Sequence, residues 1–90
     1  MSAPSIGELR GRLETAFPEA VIEVTDDSHL HAGHAGAAGG GGHFSVKLVS
    51  ERFTGLATLA RHRLVYDAVR DWMPDRIHAL AIVARLPAES

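Results

Sequence analysis

Residues 26–42 constrain this 90-residue chain more than any other stretch. The segment from Asp26 to Gly42 holds six of the nine glycines, four of them in the run Gly39–Gly42, and three of the six histidines. A glycine inside a helix or strand costs roughly 0.5–1 kcal/mol relative to alanine, so several together exclude a regular element. The segment reads as a flexible Gly/His-rich loop, residues 26–42, within a single domain spanning 1–90. Connections in compact domains have a median length of about 4–6 residues, and much longer ones are usually functional or disordered. The fold must therefore be built from the two flanks.

Before the loop, Pro4-Ser5-Ile6-Gly7-Glu8 reads as a helix start, with Ser5 as cap and Glu8 answering it three residues on. Ile6, Leu9, Leu13, Ala16 and Phe17 then recur at helical spacing. Pro18 stops that helix. Ala20 to Thr25 is short and rich in β-branched residues, as a strand would be. After the loop, His43 to Ser50 alternates, with Phe44, Val46 and Leu48 on one side and Ser45 and Lys47 on the other. Glu51 to Gly55 is a connector. Leu56 to Met73 reads as a second helix, with Val65, Val69 and Trp72 on its buried stripe and His62 beside them. Ile77 to Ala84 is a last, almost wholly apolar strand.

The order is α-β-β-α-β. The first two strands pair antiparallel across the long loop. The second helix carries the chain from strand two to strand three by a right-handed crossover, which makes those strands parallel. This is an α+β fold: a three-stranded mixed sheet with both helices on one face. The topology gathers histidines. The loop leaves the end of strand one and enters the start of strand two, and strand three begins at that same pole. His29, His31 and His34 on the loop, His43 at the start of strand two and His78 at the start of strand three should converge there.

Neutral imidazole is a good ligand for borderline metals, and it titrates near physiological pH. Each histidine also has a plainer reading. His78 shares the parity of Leu80 and Ile82, so it is either a ligand or contact residue or a hydrogen-bonded cap on the core edge. His29, His31 and His34 are candidate ligands or solvated loop residues. His43 either orients the loop or ligates. His62 reads as a satisfied core histidine. Asp26 and Asp27 read as turn residues at the start of the loop, or as acceptors that orient an imidazole. Trp72 and Met73 read as core filling, with a docking role as the alternative.

Several classes are excluded or disfavoured. Without cysteine the chain cannot form a disulfide scaffold, supply a thiolate ligand or perform thiol catalysis. It has no HExxH, no GxxxxGK and no nucleophile–base–acid set, so an enzyme is not expected. No apolar run approaches the ~20 residues of a membrane span. The first residues lack the features of a signal peptide, so a cytoplasmic protein is expected, with no membrane partner. The net charge of −2 and pI near 6.3 give no dominant basic field.

The motifs Phe53-Thr-Gly55, Arg61-His-Arg-Leu-Val-Tyr66 and Ile77-His-Ala-Leu-Ala-Ile82 occur in order, preceded by Glu23-Val-Thr-Asp-Asp-Ser-His-Leu-His31 and His43-Phe44. Taken together, from about Ile6 to Pro87, the chain resembles the BolA-like proteins. The resemblance implies the same α-β-β-α-β fold, similar to a type II KH domain. It also implies an adaptor that binds a monothiol glutaredoxin and shares a [2Fe–2S] cluster with it, for cluster trafficking, assembly or iron regulation. The glutaredoxin side supplies its own cysteine and that of glutathione. The BolA side supplies the histidine at the start of the last strand, here His78, and a loop ligand, here His31. His34 is the alternative loop ligand, because this loop departs from the family's usual Val-Pro pattern, and His43 is a supporting residue. Imidazole in place of thiolate on one iron raises the potential, as in Rieske centres. On this reading the isolated chain holds no cluster tightly.

The alternative function is a nucleic-acid-binding transcriptional regulator that uses the KH-like fold. Arg52, Arg61, Arg63, Arg70 and Arg76 lie on or near the second helix, but Asp67, Asp71 and Asp75 interleave with them and no GxxG clamp is visible. DNA is thus a weakly supported partner. A histidine module that binds zinc or copper unaided is a third reading. The sequence leaves self-association open.

Overall fold

The computed structural model describes residues 2–28 and 41–90. Helix α1 (Ile6–Ala16) opens on a reciprocal cap. The Glu8 N–H donates to Ser5 Oγ at 3.0 Å, and the Ser5 N–H donates to the Glu8 carboxylate at 2.9 Å. These bonds satisfy donors that a helix start otherwise leaves bare, and they hold the Glu8 carboxyl below its ordinary range. Leu9, Leu13 and Phe17 are buried, whereas Ile6 stays exposed beyond the edge of the core.

Strands β1 (Val21–Asp26), β2 (Gly42–Val49) and β3 (Ile77–Arg85) form one sheet in the order β1-β2-β3. β1 and β2 pair antiparallel, from Val21 opposite Val49 to Asp26 opposite Phe44, and β2 and β3 pair parallel. Helix α2 (Thr58–Ala68) joins the parallel strands. Both helices cover one face, where Leu9, Leu13, Phe17, Val65, Val69 and Trp72 meet Ile22, Phe44, Val46, Leu48, Ile77 and Leu80. Burying side chains of this size contributes about 1.5–3 kcal/mol each before chain entropy is charged against it. The α+β class, the element order and the pairing directions agree with the sequence.

The second helix is shorter than the sequence predicts. It ends at Ala68, and Val69 leaves helical geometry at φ −124°, ψ 17°. A 3₁₀ turn, Arg70–Trp72, follows and tucks the Trp72 ring into the core. Spacing alone did not separate these outcomes, because a residue three positions on returns to the same face in either helix type.

β1 and β3 are both edge strands. Ser50 N–H bonds the Arg85 carbonyl at 2.9 Å, so alternation turns the carbonyls of Leu80, Ile82 and Ala84 outward. The Tyr66 hydroxyl donates to the Leu80 carbonyl at 3.0 Å, and Arg61 Nη1 donates to that of Ala84 at 3.1 Å. Arg10 Nη1 donates to the Ile22 carbonyl on β1 at 2.6 Å. Helix side chains thus occupy backbone acceptors that an added strand would need.

Candidate functional site

β3 does not alternate cleanly at its start. Gly42 lies opposite Ile77, but His43 lies opposite Ala79, so His78 is the extra residue of a β-bulge. Ile77 is fully buried and Leu80 is 6% exposed, so both point into the core although they are three apart. Strict alternation places His78 on the core side with Leu80. The bulge turns it out to solvent instead, so it does not cap the core edge.

His43 sits beside it. Its side chain is buried, and its ring centroid lies 5.3 Å from that of His78, with the planes inclined at 43°. The main chain of His43 ties together the two stems of the long connection. Its N–H donates to Ser28 Oγ at 3.0 Å, and its carbonyl accepts the Asp27 N–H at 2.7 Å. Asp26 accepts the Ser28 N–H at 2.9 Å, which is the turn role the sequence suggests. Asp27 accepts the Ser45 hydroxyl. His43 and His78 therefore meet at the predicted pole. His29, His31 and His34 lie outside the described residues, so their part in the convergence does too.

The turn before β3 locks onto this pole. The Gly42 N–H donates to the Arg76 carbonyl at 3.0 Å, and Arg76 Nε donates to the Ser2 carbonyl at 3.0 Å. The guanidinium of Arg76 also lies 5.1 Å from the Trp72 ring centroid and 3.7 Å from the Glu8 carboxylate. Arg12 covers the same ring at 3.9 Å and bonds Asp71, which holds that carboxyl below its ordinary range. Trp72 is buried and Met73 packs against the core, so both fill it.

His62 is not a core residue. It is half-buried and lines a groove with Thr58, Arg61, Ile82, Arg85 and Glu89, where α2 overhangs the far end of β3. Along α2 full burial begins one turn later, at Val65. In the groove Arg61 grips the Glu89 carboxylate at 2.7 and 3.3 Å, and that hydrogen bonding, helped by the Leu86 N–H, lowers the Glu89 pKa from 4.5 to about 2. Among the described residues, no three His, Asp or Glu side chains are grouped to hold a metal. The described pole offers two imidazoles, one of them exposed.

The family described as BolA-like protein matches residues 13–89. The chain belongs to the BolA-like family. It is 41% identical over 88 residues to BolA-like protein 1 of Mus musculus, covering 98% of this chain and 62% of that one. It is 42% identical over 86 residues to SufE-like protein 1, chloroplastic/mitochondrial, of Arabidopsis thaliana, covering 90% of this chain and 23% of that one. It is also 41% identical over 71 residues to the DNA-binding transcriptional regulator BolA of Escherichia coli K12, covering 79% of this chain and 65% of that one. The chain thus spans less than two thirds of the length of these three relatives. Among solved structures, BolA1 from Arabidopsis thaliana superposes with a TM-score of 0.80 at 36% identity, covering 100% of this chain and 99% of that one. The BolA domain of SufE1 from the same plant gives 0.78 at 39%, covering 92% of each chain.

BolA-like protein 1 is named for the family, and the Escherichia coli relative is named as a transcriptional regulator. None of the described helices is long and apolar enough to cross a membrane. BolA-like relatives include chloroplastic and mitochondrial proteins, so membership does not carry a cytoplasmic location with it.

Two features of the BolA-like pole escaped the reading of the sequence. The bulge had a signal: Ile77 and Leu80, both large and apolar, are three apart in a strand whose faces alternate every two residues. The tight packing of Gly41 had none, because its partners, Asp75 and His78, lie more than thirty residues on.

Proposed function

We propose that this BolA-like chain is an adaptor that docks onto a monothiol glutaredoxin and shares a [2Fe–2S] cluster with it. In this assignment His78 is the fixed ligand from β3, and His31 is the ligand from the loop, with His34 as the alternative. His43 supports the site by tying the loop stems and packing beside His78. The observation that carries the reading is the bulge, which presents His78 to solvent at the pole where the long connection begins and ends. Bulges are over-represented where a strand re-aims a side chain at a site.

The donor chemistry fits a shared cluster. The chain has no thiolate to offer, and the described pole supplies nitrogen donors for only part of a coordination shell. Thiolates from the partner and glutathione would complete it. The cluster supplies one-electron and transfer chemistry. This chain's imidazoles would hold the cluster from its side, and nitrogen donors in place of thiolates would raise its potential. The cytoplasm is the compartment we assign.

The test is titration of [2Fe–2S]-loaded monothiol glutaredoxin with this chain, followed by visible circular dichroism. A new spectrum with the wild type that disappears with His78→Ala supports the assignment. His31→Ala and His34→Ala then identify the loop ligand. The absence of both a complex and a spectral change with the wild type would remove the reading.

One observation favours a second reading, nucleic-acid binding. The Escherichia coli relative carries a DNA-binding name, and Thr58, Arg61, His62 and Arg85 line one groove of this chain. Binding through phosphates would weaken steeply with salt. Duplex DNA binding with no salt dependence would count against it.

A further inference from the structure

We infer that Gly41 is a positioning residue of the histidine pole: its missing side chain lets the returning end of the loop lie against His78 and keep His43 alongside. The functional meaning rests on the ligand reading of His78, while the geometry stands without it.

A Cβ on Gly41 would lie 3.0 Å from His78 Cβ, 3.1 Å from the Asp75 carbonyl oxygen and 3.3 Å from His78 N. Two of these three atoms belong to His78. Ordinary van der Waals contact for such an atom begins near 3.4 Å, so His78 would have to give way. The neighbouring glycine faces elsewhere. A Cβ on Gly42 would strike the Phe44 ring, at 2.9 Å from Cζ, and Ala3 Cβ at 2.8 Å. Phe44 is a core side chain. Gly42 therefore protects the core, and Gly41 protects the position of His78.

The need at Gly41 is for space and not for unusual backbone angles, since Gly55 is the only described glycine with positive φ. The chain that follows Gly41 is tethered. The Gly42 N–H is held by the Arg76 carbonyl at 3.0 Å, and both main-chain groups of the next residue, His43, are bonded to the other stem. A methyl group at position 41 thus sits between two anchored segments, and the residue it pushes is the one the bulge has turned outward. Hydrogen-bonding partners that orient a metal ligand typically change its affinity by about 10–100-fold when altered, and displacing the backbone of His78 would act on the same orientation.

The test compares Gly41→Ala with Gly42→Ala and with Gly11→Ala, whose added methyl would meet nothing within 4 Å. Far-UV circular dichroism and urea unfolding report the fold, and NOEs between the His43 and His78 rings report the pole. Gly41→Ala should stay folded, lose or weaken those NOEs, and shift the amides of residues 41–43 and 75–79. It should bind the cluster-loaded glutaredoxin about 10-fold or more weakly. Gly42→Ala should lower the urea midpoint, and Gly11→Ala should leave the pole unchanged. Gly41→Ala with unchanged ring NOEs and His78 shifts would overturn the inference. So would its unfolding, which would put Gly41 in the core with Gly42. If the wild type itself fails to form the shared cluster, the adaptor reading falls, and the NOE comparison still decides the role of Gly41.

Discussion

Replacing Ile77, His78 and Leu80 singly by alanine separates a bulged β3 from an alternating one. Ile77 is fully buried and Leu80 nearly so, whereas His78 is exposed. Truncating a buried isoleucine or leucine costs about 2–5 kcal/mol, from lost transfer energy and the cavity left behind. Ile77→Ala belongs near the middle of that range, at about 3–4 kcal/mol, and Leu80→Ala at about 2–3 kcal/mol. His78→Ala should fall within about 0.5 kcal/mol of the wild type, as exposed substitutions do. A strictly alternating strand gives another order. It places Ile77 outside, where truncation is nearly free, and His78 inside, where it is costly.

Urea unfolding at constant m-value measures all three. Total stability for a domain of this size is about 5–13 kcal/mol, so Ile77→Ala is severe, and Ile77→Val, at about 0.5–1.5 kcal/mol, guards against outright unfolding. Thermal midpoints should drop by about 4–8 °C per kcal/mol. Ile77→Ala costing under about 1 kcal/mol, or His78→Ala costing over about 1.5 kcal/mol, would refute the bulge as the reason His78 faces outward. The expected result also has a use. If His78→Ala leaves stability intact, its loss of a cluster spectrum reports a lost ligand and not a damaged fold.

Glu89 gives a pH prediction. Its carboxyl falls from 4.5 to about 2 in the fold, so the clamp it forms with Arg61 is complete above pH 4.5 and is lost as the pH falls toward 2. The Leu86 N–H donates to Glu89 at 2.8 Å, and its NMR shift should titrate near pH 2; a midpoint near 4.5 would show that the clamp does not hold. Tyr66→Phe removes the donor on the Leu80 carbonyl and should cost about 1 kcal/mol in urea unfolding, with more self-association in sedimentation because one edge acceptor is bare. Ser5→Ala should cost about 1 kcal/mol through loss of the reciprocal cap, with faster amide exchange in the first turn of α1; unchanged exchange there would discount the cap.

What the sequence conveyed well was whatever its own periodicity encodes. Phe44, Val46 and Leu48 alternate cleanly, and they line the core side of β2. Ser5 and Glu8 are local partners, so their cap is readable from spacing alone. The meeting of His43 and His78 followed from topology, because a parallel pair must begin at one pole. His62 misled because a helical stripe says which face is apolar but not how far along the helix the sheet extends beneath it. β3 ends against an open groove there, so the first turn of α2 covers no core. The Gly-rich run misled differently. Composition reads every glycine as freedom, yet a side chain at Gly42 would strike its neighbours and one at Gly41 would crowd His78.

The bulge lets a chain this small turn a histidine outward without giving up a core position. A three-stranded sheet covered on one face has few core positions to spare, and an inward imidazole would bring a polar ring that must be satisfied. One inserted residue avoids that cost. Ile77 and Leu80 both keep their places in the core, and the extra position, His78, carries none of the core packing. Its side chain can then answer to the site alone. The same separation divides the two glycines beside it, Gly42 against Phe44 and Gly41 against His78. Substitutions at the two positions should therefore part stability from the placement of His78, and a single assay of either property would miss the other.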